Sequence, residues 1–281
     1  MNDYIKTNVP LTSALVLQQS RSVYTSELEK KYLEHIDFSE VMAVGQQMTA
    51  VTTVISNAIC IRRNYVRKVL LEQLLSSPKQ QICILGAGLD PLSIFLLEHR
   101  ADRISNIFEV DGSDSIQTKA GIYSDLIPEA DQTHFIQCNL TDTDLLMEML
   151  LLKGYQPGKP TIVVLEGVVH YIHNHEFVKL IQQFRSGAKH NKVIMDYSLD
   201  DTDIPEHALS LHRTIIDMFE KFIKAKVNLN SREEMITVLN DFGAAEIRVD
   251  TIKDVEFQLN GNNLLFPHQG EGVLEMLVFN I

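Results

Sequence analysis

The 281-residue sequence lacks several features that would point to particular classes of protein. Its three cysteines, Cys60, Cys83 and Cys138, stand singly in apolar stretches, so neither a CxxC metal motif nor a disulfide framework is predicted. No apolar stretch is long enough to span a membrane, and the N-terminal segment does not have the basic start and apolar core of a secretory signal. We therefore expect a cytoplasmic protein that binds no metal and no membrane.

Positive charge is also scarce. The chain has 25 Lys and Arg against 37 Asp and Glu, which gives a net charge of −12. No basic stripe offsets this excess, so a nucleic-acid partner is not expected. The composition, 45% hydrophobic and 22% charged, is ordinary for a soluble globular protein with a sizeable core. A chain of this length favours one large α/β domain.

Short apolar stretches alternate with amphipathic ones along the middle of the chain. This alternation predicts βαβ units, and hence a parallel sheet with helices on both faces. Two further strands are predicted near the C-terminal end, within "AEIRVDTI" and "GVLEMLVFNI". The expected fold is α/β, with a Rossmann-like, seven-stranded, mostly parallel sheet whose antiparallel strand lies at the edge. The five parallel strands are predicted at 81–86, 104–111, 133–140, 160–167 and 191–199.

We interpret residues 1–281 as a single domain with four parts. Residues 1–78 form an N-terminal helical cover, and residues 79–200 form the core that binds the cofactor. Residues 200–230 are expected to form an inserted helical lid that caps the pocket and sets the choice of substrate. Residues 231–281 supply a C-terminal helix and the last strands.

The stretch "CILGAGLDPLS" joins the first predicted strand to a helix. Gly86 and Gly88 allow the backbone to approach a ligand closely, although a tight turn without a ligand would need the same residues. A dinucleotide site would have a third glycine where this chain has Pro91. Asp90 stands at the start of the helix, where its charge would repel a pyrophosphate. The turn therefore suits a ligand without phosphate, and NAD is disfavoured.

Polar side chains follow the next two strands. Asp111 ends the second strand and can accept hydrogen bonds from ribose hydroxyls. Glu109 is a competing acid, because alternation along the strand puts it on the same face. After the third strand, the amide of Asn139 suits the edge of an adenine ring, and Leu140 offers an apolar contact. Each could also be an ordinary loop residue.

Glu166 ends the apolar run "IVVL" of the fourth strand, where a charge is costly unless it has a partner. That partner could be a ligand cation, such as an ammonium or sulfonium group, or it could be Arg62 or Arg63. Either arginine could instead hold a ligand carboxylate through its planar fork. Together these positions describe a nucleoside without phosphate that carries an amino-acid tail, which is S-adenosylmethionine.

Five segments resemble the leucine carboxyl methyltransferase family, whose bacterial branch includes carboxyl and O-methyltransferases of polyketides and other natural products. The similarity runs from about residue 10 to about residue 200 and thins towards the C-terminus. It implies a class I methyltransferase that uses S-adenosylmethionine. The segments are "LTSALVLQQSRSVYTS", "ILGAGLDPLSIFL", "IFEVDGSDSIQTK", "IQCNLTD" and "GYQPGKPTIVVLEGVVHYI".

The resemblance also implies roles for individual residues. An arginine before the first strand holds the methionine carboxylate, and "RRN" in place of the family's Arg-Thr-Arg leaves Arg62 and Arg63 as alternatives. Asn139 replaces an aspartate of the family, which removes a charge and keeps an acceptor. The remaining implied contacts are Gly86 through its backbone, Asp111 at the ribose, Asn139 and Leu140 at the adenine, and Glu166 at the methionine end.

The implied reaction is methyl transfer to a carboxylate or hydroxyl oxygen of a small-molecule or natural-product substrate. A carboxylate needs no general base once it is held in line with the methyl group, whereas a hydroxyl does. His170, Tyr171 and Tyr197 follow or end strands and are the predicted substrate contacts, and no catalytic base is assigned. The alternatives are methylation of a protein C-terminal carboxylate, a non-catalytic module that binds S-adenosylmethionine, and, least favoured, a nicotinamide-dependent dehydrogenase.

Overall fold

A computed structural model of the chain describes residues 11–76, 79–185 and 191–281. Within these residues, four α-helices precede the first strand. They are α1 (Leu11–Gln19), α2 (Glu27–Glu34), α3 (Ser39–Val51) and α4 (Val54–Ser76). In α2, Ser26 caps the first turn by accepting a hydrogen bond from Glu29 N, and the Glu29 side chain completes the capping box.

Strands and helices then alternate as predicted. The elements in chain order are β1 (Gln80–Leu85), α5 (Leu92–Arg100), β2 (Ile104–Asp111), α6 (Ser115–Leu126), β3 (Thr133–Gln137), α7 (Thr143–Leu152), β4 (Thr161–Leu165), α8 (Asn174–Gln182) and β5 (Lys192–Leu199). The last part of the described chain contains α9 (Leu209–Ile223), β6 (Leu229–Asn230), α10 (Arg232–Phe242), β7 (Ala245–Thr251), α11 (Ile252–Asn260) and β8 (Leu274–Asn280).

Over the described residues, the main sheet has seven strands in the order β3-β2-β1-β4-β5-β8-β7, and the two-residue β6 pairs with the end of β5. Strands β1 to β5 pair in parallel, which confirms the predicted α/β sheet. The expected place of the antiparallel strand is wrong. Strand β8 is antiparallel to both β5 and β7, so it lies inside the sheet and β7 forms the edge.

The physical reason lies in the side chains of these two strands. All but the last residue of β8 are buried, whereas the first five residues of β7 alternate between partly buried and exposed positions and only its last two are buried. An inner strand is covered on both faces and an edge strand is not, so the more apolar strand takes the inner place.

Helices cover both faces of the sheet. On one face, α7, α8 and α10 pack against alternate strand residues that include Cys83, Leu85 and Phe108. On the other face, α4, α5, α6 and α11 pack against Ile82 and Ile84 and their neighbours. Among the described residues, no helix is both long and apolar enough to cross a membrane.

A third apolar cluster joins the N-terminal helices to the rest of the fold. It brings Leu15, Leu17 and Tyr32 together with Ile94 of α5 and Ile122 of α6. Met218 and Phe222 of α9 pack against the same cluster. Helix α9 therefore lies beside the N-terminal helices, and together they cover the carboxyl ends of the central parallel strands.

Candidate active site

A cavity of about 400 Å³ lies beyond the carboxyl ends of the central strands. The order of the strands reverses between β1 and β4, and open α/β sheets bind their ligands at such a switch point. Ten of the eleven residues predicted to contact cofactor or substrate line this cavity. They are Arg62, Arg63, Gly86, Gly88, Asp111, Asn139, Leu140, Glu166, His170 and Tyr171.

Tyr197 is the exception, because the structure places its side chain outside the cavity. Adjacent residues of a strand point to opposite faces, and in β5 it is Asp196 and Ser198 that line the cavity. The ring of Tyr197 is buried in the core on the other face, where its hydroxyl donates a hydrogen bond to Glu275 Oε2 at 2.6 Å.

The turn after β1 has the backbone conformation that its glycines allow. Gly86 has a φ of +73° and Gly88 a φ of +48°. A Cβ atom added to Gly86 would lie 2.4 Å from Val168 Cγ2, so the close approach of these two segments requires glycine. The turn therefore presents bare backbone to the cavity.

Asp111 joins this turn to the end of β2. Its Oδ2 accepts a hydrogen bond from Gly88 N at 2.9 Å, and its Oδ1 accepts from Ser113 N at 2.9 Å and Ser113 Oγ at 2.5 Å. A carboxylate has roughly four lone-pair positions, so Asp111 keeps capacity for a ligand hydroxyl on the side that faces the cavity.

Glu109 does not reach the cavity, contrary to expectation. It lies on the same face of β2 as Asp111 but two residues earlier, which is about 7 Å along a strand. There it is fully buried and pairs with Lys119 of α6 and with the hydroxyl of Ser93. The alternation of side chains along β2 correctly predicts which face of the sheet Glu109 occupies. It does not predict how far Glu109 lies from the end of the strand where the cavity opens.

Arg62 is the centre of a buried charge cluster. Its Nε donates to Glu166 Oε1 at 3.2 Å and its Nη1 donates to Asp196 Oδ2 at 3.1 Å. Asp196 Oδ1 also accepts from Gly167 N at 2.6 Å. Burial alone would lower the pKa of Arg62, but the carboxylates of Asp196 and Glu166 outweigh it and the pKa is raised. The sequence left open whether the partner of Glu166 is a ligand cation or a protein arginine, and the structure shows Arg62 paired with it.

Asp196 is a site residue that the sequence analysis missed. The signal that singled out Glu166, an acid that ends or interrupts an apolar strand, is also present in "KVIMDYSL" of β5. The side chain of Asp196 is only 1% exposed, so its charge depends on Arg62 and Gly167 for compensation.

Arg63 has a different set of contacts. It forms an ion pair with Asp90, so the acid at the start of α5 is neutralised by the protein itself. Its Nε lies 3.7 Å from Glu166 Oε1, which is too far for a hydrogen bond. Within the part of the chain that the structure describes, this buried Nε has no hydrogen-bond partner. Arg63 therefore has a donor to spare, whereas Arg62 is held by two carboxylates.

His170 and Tyr171 follow β4 and lie beside α9. The His170 ring stands 4.3 Å from the Tyr171 ring and 5.6 Å from the Phe219 ring, measured between centroids. Burial, helped by the charge of Arg62, lowers the pKa of His170 to about 3, so its imidazole is neutral near pH 7. Its Nδ1 is buried without a hydrogen-bond partner among the described residues.

Apolar side chains complete this end of the cavity. Ile55 and Ile59 of α4 face it from one side, and Ile215, Ile216 and Phe219 of α9 face it from the other. A helical lid over residues 200–230 is predicted from the sequence, but none of these five residues is. Their spacing along each helix is typical of any buried apolar stripe, so it carries no signal for a pocket.

Asn139 and Leu140 line the opposite end, after β3. Asn139 is exposed, and its Oδ1 accepts hydrogen bonds from Thr141 N and Thr141 Oγ1, both at 3.1 Å. The side-chain oxygen of Asn139 is therefore engaged within its own loop.

The charges of the cavity fit S-adenosylmethionine. Its lining includes two guanidinium groups, from Arg62 and Arg63, and four carboxylates, from Asp90, Asp111, Glu166 and Asp196. This excess of negative charge suits a ligand with a sulfonium, an ammonium and one carboxylate, and it opposes a dinucleotide with its diphosphate. The strand order and these charges are those expected of a binding site for S-adenosylmethionine.

Comparison with known families identifies the group more closely. The sequence profile of the leucine carboxyl methyltransferase family matches residues 8–185. The chain belongs to this family, as the sequence analysis predicted. A comparison with curated protein sequences finds no match.

Solved structures with the same fold include three bacterial proteins. A Thermobifida fusca protein classed as a methyltransferase aligns with 99% of this chain and 96% of its own, at 12% identity and a TM-score of 0.68. A DUF574 family protein from Streptomyces avermitilis aligns with 99% and 98%, at 10% identity and a TM-score of 0.65. Geranyl diphosphate C-methyltransferase from Streptomyces coelicolor aligns with 77% and 76%, at 13% identity and a TM-score of 0.51. At these identities the likeness shows the fold alone.

Proposed function

We propose that the protein transfers a methyl group from S-adenosylmethionine to a carboxylate or hydroxyl oxygen of a small-molecule or natural-product acceptor. The observation that carries this proposal is the continuity of the cavity. It runs from the glycine turn and Asp111 to an apolar wall formed by α4 and α9. Because α9 lies over this end, a small apolar acceptor fits better than a folded protein, and the net charge of −12 disfavours nucleic acid.

We place the nucleoside of the cofactor at the ends of β1, β2 and β3. The bare backbone of Gly86 and Gly88 allows close contact, and Asp111 accepts hydrogen bonds from the ribose. Asn139 and Leu140 then flank the adenine, with Leu140 as the apolar contact. This arrangement needs no phosphate-binding group, in agreement with the carboxylates of Asp90 and Asp111 nearby.

We place the amino-acid tail at the charge cluster. Glu166 and Asp196 face the ammonium group, and the unpartnered Nε of Arg63 is the donor that remains for the carboxylate. Arg62 then acts as a positioning residue, because it holds both acids in place. Bound S-adenosylmethionine supplies an activated methyl group, so the protein has to hold the acceptor oxygen in line with it.

The acceptor contacts His170, Tyr171 and Phe219 in this arrangement. Since His170 is neutral, it can donate or accept a hydrogen bond without adding charge beside a sulfonium. We further propose that residues 1–281 work as one domain, with residues 200–230 as the lid. The cytoplasmic location remains a prediction.

Binding and transfer experiments test this function. Calorimetric titration should show binding of S-adenosylhomocysteine and none of NAD. Incubation with methyl-labelled S-adenosylmethionine and a panel of carboxylic acids and phenols should label an acceptor. Mild alkali releases the label from a methyl ester and leaves an ether intact, which separates the two kinds of oxygen. Tight NAD binding would contradict the cofactor assignment, and cofactor binding without transfer to any acceptor would favour a non-catalytic module.

Asp111→Ala should weaken binding of S-adenosylhomocysteine by about 1–3 kcal/mol, because a carboxylate that accepts ribose hydrogen bonds is lost. Asp114→Ala is the matched control. Asp114 lies in the same loop, where it accepts a hydrogen bond from the exposed Gln137 side chain at 2.7 Å, and it does not line the cavity. Calorimetry on both variants checks the prediction, and equal affinities would remove Asp111 from the cofactor site.

Phe219→Ala should raise the KM for the acceptor about tenfold, as expected for loss of much of one buried aromatic contact. The affinity for S-adenosylhomocysteine should not change, because Phe219 lies at the acceptor end. Thr214→Ala, an exposed substitution on the same helix, is the control. Steady-state kinetics with the acceptor found above provides the measurement. A change in cofactor affinity equal to the change in KM would contradict the division of the cavity.

A further inference from the structure

A second group of potential ligand atoms lies away from the cavity, on the surface. It consists of His207, His268 and Glu271, whose side-chain ligand atoms all lie within 4.8 Å of one another. His207 belongs to the short 3-10 helix Glu206–Ala208, directly before α9, and the other two residues belong to the loop between α11 and β8. Two segments separated by some sixty residues thus bring two imidazoles and a carboxylate together.

The carboxylate of this group is held in place before any ion arrives. Glu271 Oε1 lies 2.7 Å from His207 Nε2, and Glu271 Oε2 accepts a hydrogen bond from the backbone N of His268 at 2.7 Å. The Glu271 side chain is 17% exposed and that of His207 is 58% exposed. The hydrogen bonds orient the carboxylate of Glu271 for an ion, as outer contacts do in known metal sites. The exposed imidazole of His207 leaves a path by which an ion can enter from solvent.

Close backbone packing fixes the two segments relative to each other. Gly270 has a φ of +83°, and a Cβ atom added to it would lie 2.2 Å from Asp203 O and 2.8 Å from Pro205 Cδ. No other residue type fits this position without displacing the backbone. The approach of the backbone segments that carry these three residues is therefore built into the fold.

The chemistry of these three groups is that of a transition-metal site. Zinc binds imidazole nitrogen and carboxylate oxygen at about 2.0–2.2 Å, with ligand atoms about 3.3 Å apart in a tetrahedron. The ligand atoms of the three residues already lie within 4.8 Å of one another, so each pair is at most about 1.5 Å from that spacing. Imidazole donors favour zinc, copper or nickel over magnesium or calcium, which prefer oxygen ligands. A water molecule would complete the fourth position.

We propose that His207, His268 and Glu271 bind one divalent transition-metal ion, with zinc as the representative of the class. The ion would join the segment before α9 to the loop before β8. Helix α9 contributes Ile215, Ile216 and Phe219 to the cavity wall, so the metal would fix the start of the helix that covers the acceptor. The metal site itself rests on the three ligands and not on the identity of the acceptor.

Zinc binding to the full chain, prepared without a histidine tag, tests this proposal. Equilibrium dialysis followed by metal analysis should find one zinc ion per chain. His207→Ala, His268→Ala and Glu271→Gln should each lower the zinc affinity by about tenfold or more. Glu271→Gln keeps the shape of the side chain, so it separates loss of a ligand from loss of local structure. Zinc should also raise the melting temperature of the wild type and leave that of His207→Ala unchanged.

His175→Ala is the matched control. His173 and His175 form another pair of neighbouring imidazoles, with ring centroids 5.7 Å apart, but they are not part of the three-ligand group. This variant should bind zinc as the wild type does. The proposal is overturned if the wild type binds no zinc at micromolar concentration, or if all three ligand variants keep the wild-type affinity. In both cases the His207–Glu271 contact is an ordinary hydrogen bond near the surface.

Discussion

Replacing Lys119 by methionine is expected to lower the free energy of unfolding by about 3–5 kcal/mol, the usual cost of breaking a buried ion pair from one side. The Lys119 ammonium pairs with the Glu109 carboxylate, and both side chains are completely buried. Methionine fills a similar volume but leaves the carboxylate without a counter-charge. Urea denaturation measures the effect as a lower midpoint at an unchanged m-value.

The effect should depend on pH in a defined direction. Burial raises the pKa of Glu109 above its ordinary value even with Lys119 present, and removal of the ammonium raises it further. The folded state then binds a proton more readily than the unfolded state, so the penalty falls as the pH is lowered. We expect Lys119→Met to be less destabilising at about pH 5 than at about pH 8.

Two variants control this prediction. Lys68→Met breaks the exposed pair with Glu72 on α4, at 3.0 Å, and should change stability by less than about 0.5 kcal/mol. Adding Glu109→Gln to Lys119→Met should recover part of the lost stability, because it removes the unpaired charge. If Lys119→Met costs less than about 1 kcal/mol, or if the double variant is no more stable, the pair is not the important interaction.

The same lysine links the core to the cofactor turn. Lys119 Nζ also donates a hydrogen bond to the backbone carbonyl of Asp90, whose side chain pairs with Arg63. Ser93, three residues after Asp90, donates to Glu109 and lies 2.9 Å from the Tyr123 hydroxyl. A buried polar network beneath α5 thus supports the turn whose glycines face the cavity.

Much of the fold could be predicted from local sequence patterns. Parallel strands bring their carboxyl ends to one edge of the sheet, so Gly86, Asp111 and Glu166 could be expected to meet although they are far apart in sequence. That inference needs only the existence and order of the strands, which are well marked by apolar runs between helices. The same reasoning predicts that Asn139, which follows the third strand, lies at this edge as well.

The predictions fail in two situations. In one, a shift of a single residue along a strand decides which face a side chain occupies. In the other, a strand's place depends on pairing with residues distant in sequence. Tyr197 and Asp196 are neighbours in β5, and the side chain of Asp196 faces the cavity whereas that of Tyr197 faces the core. A shift of one residue along the strand would exchange the two. The inner position of β8 depends on its pairing with both β5 and β7, which no local pattern records. The group of His207, His268 and Glu271 depends on contact between two loops, and the sequence contains no motif for it.

Arg63→Met is expected to weaken binding of S-adenosylhomocysteine by about 1.5–3 kcal/mol, which corresponds to roughly 10- to 150-fold in Kd. The reason is the loss of the hydrogen bonds that we assign between its guanidinium and the amino-acid carboxylate. The unsatisfied Nε of Arg63 is the feature that favours it over Arg62, whose Nε and Nη1 already donate to Glu166 and Asp196. Calorimetric titration of the purified variant provides the measurement.

A truncated ligand makes this prediction specific. Methylthioadenosine keeps the adenosine and the sulfur but lacks the amino acid, so Arg63→Met should leave its affinity close to that of the wild type. Arg63→Met leaves one acid, Asp90, without its partner, and the side chain of Asp90 is 15% exposed. Arg62→Met is expected to have a larger effect on stability, because it leaves two acids, Glu166 and the fully buried Asp196, without their shared partner. It should therefore lower the free energy of unfolding as well as the cofactor affinity. If Arg63→Met weakens both ligands equally, its effect is structural, and Arg62 becomes the better candidate for the carboxylate anchor.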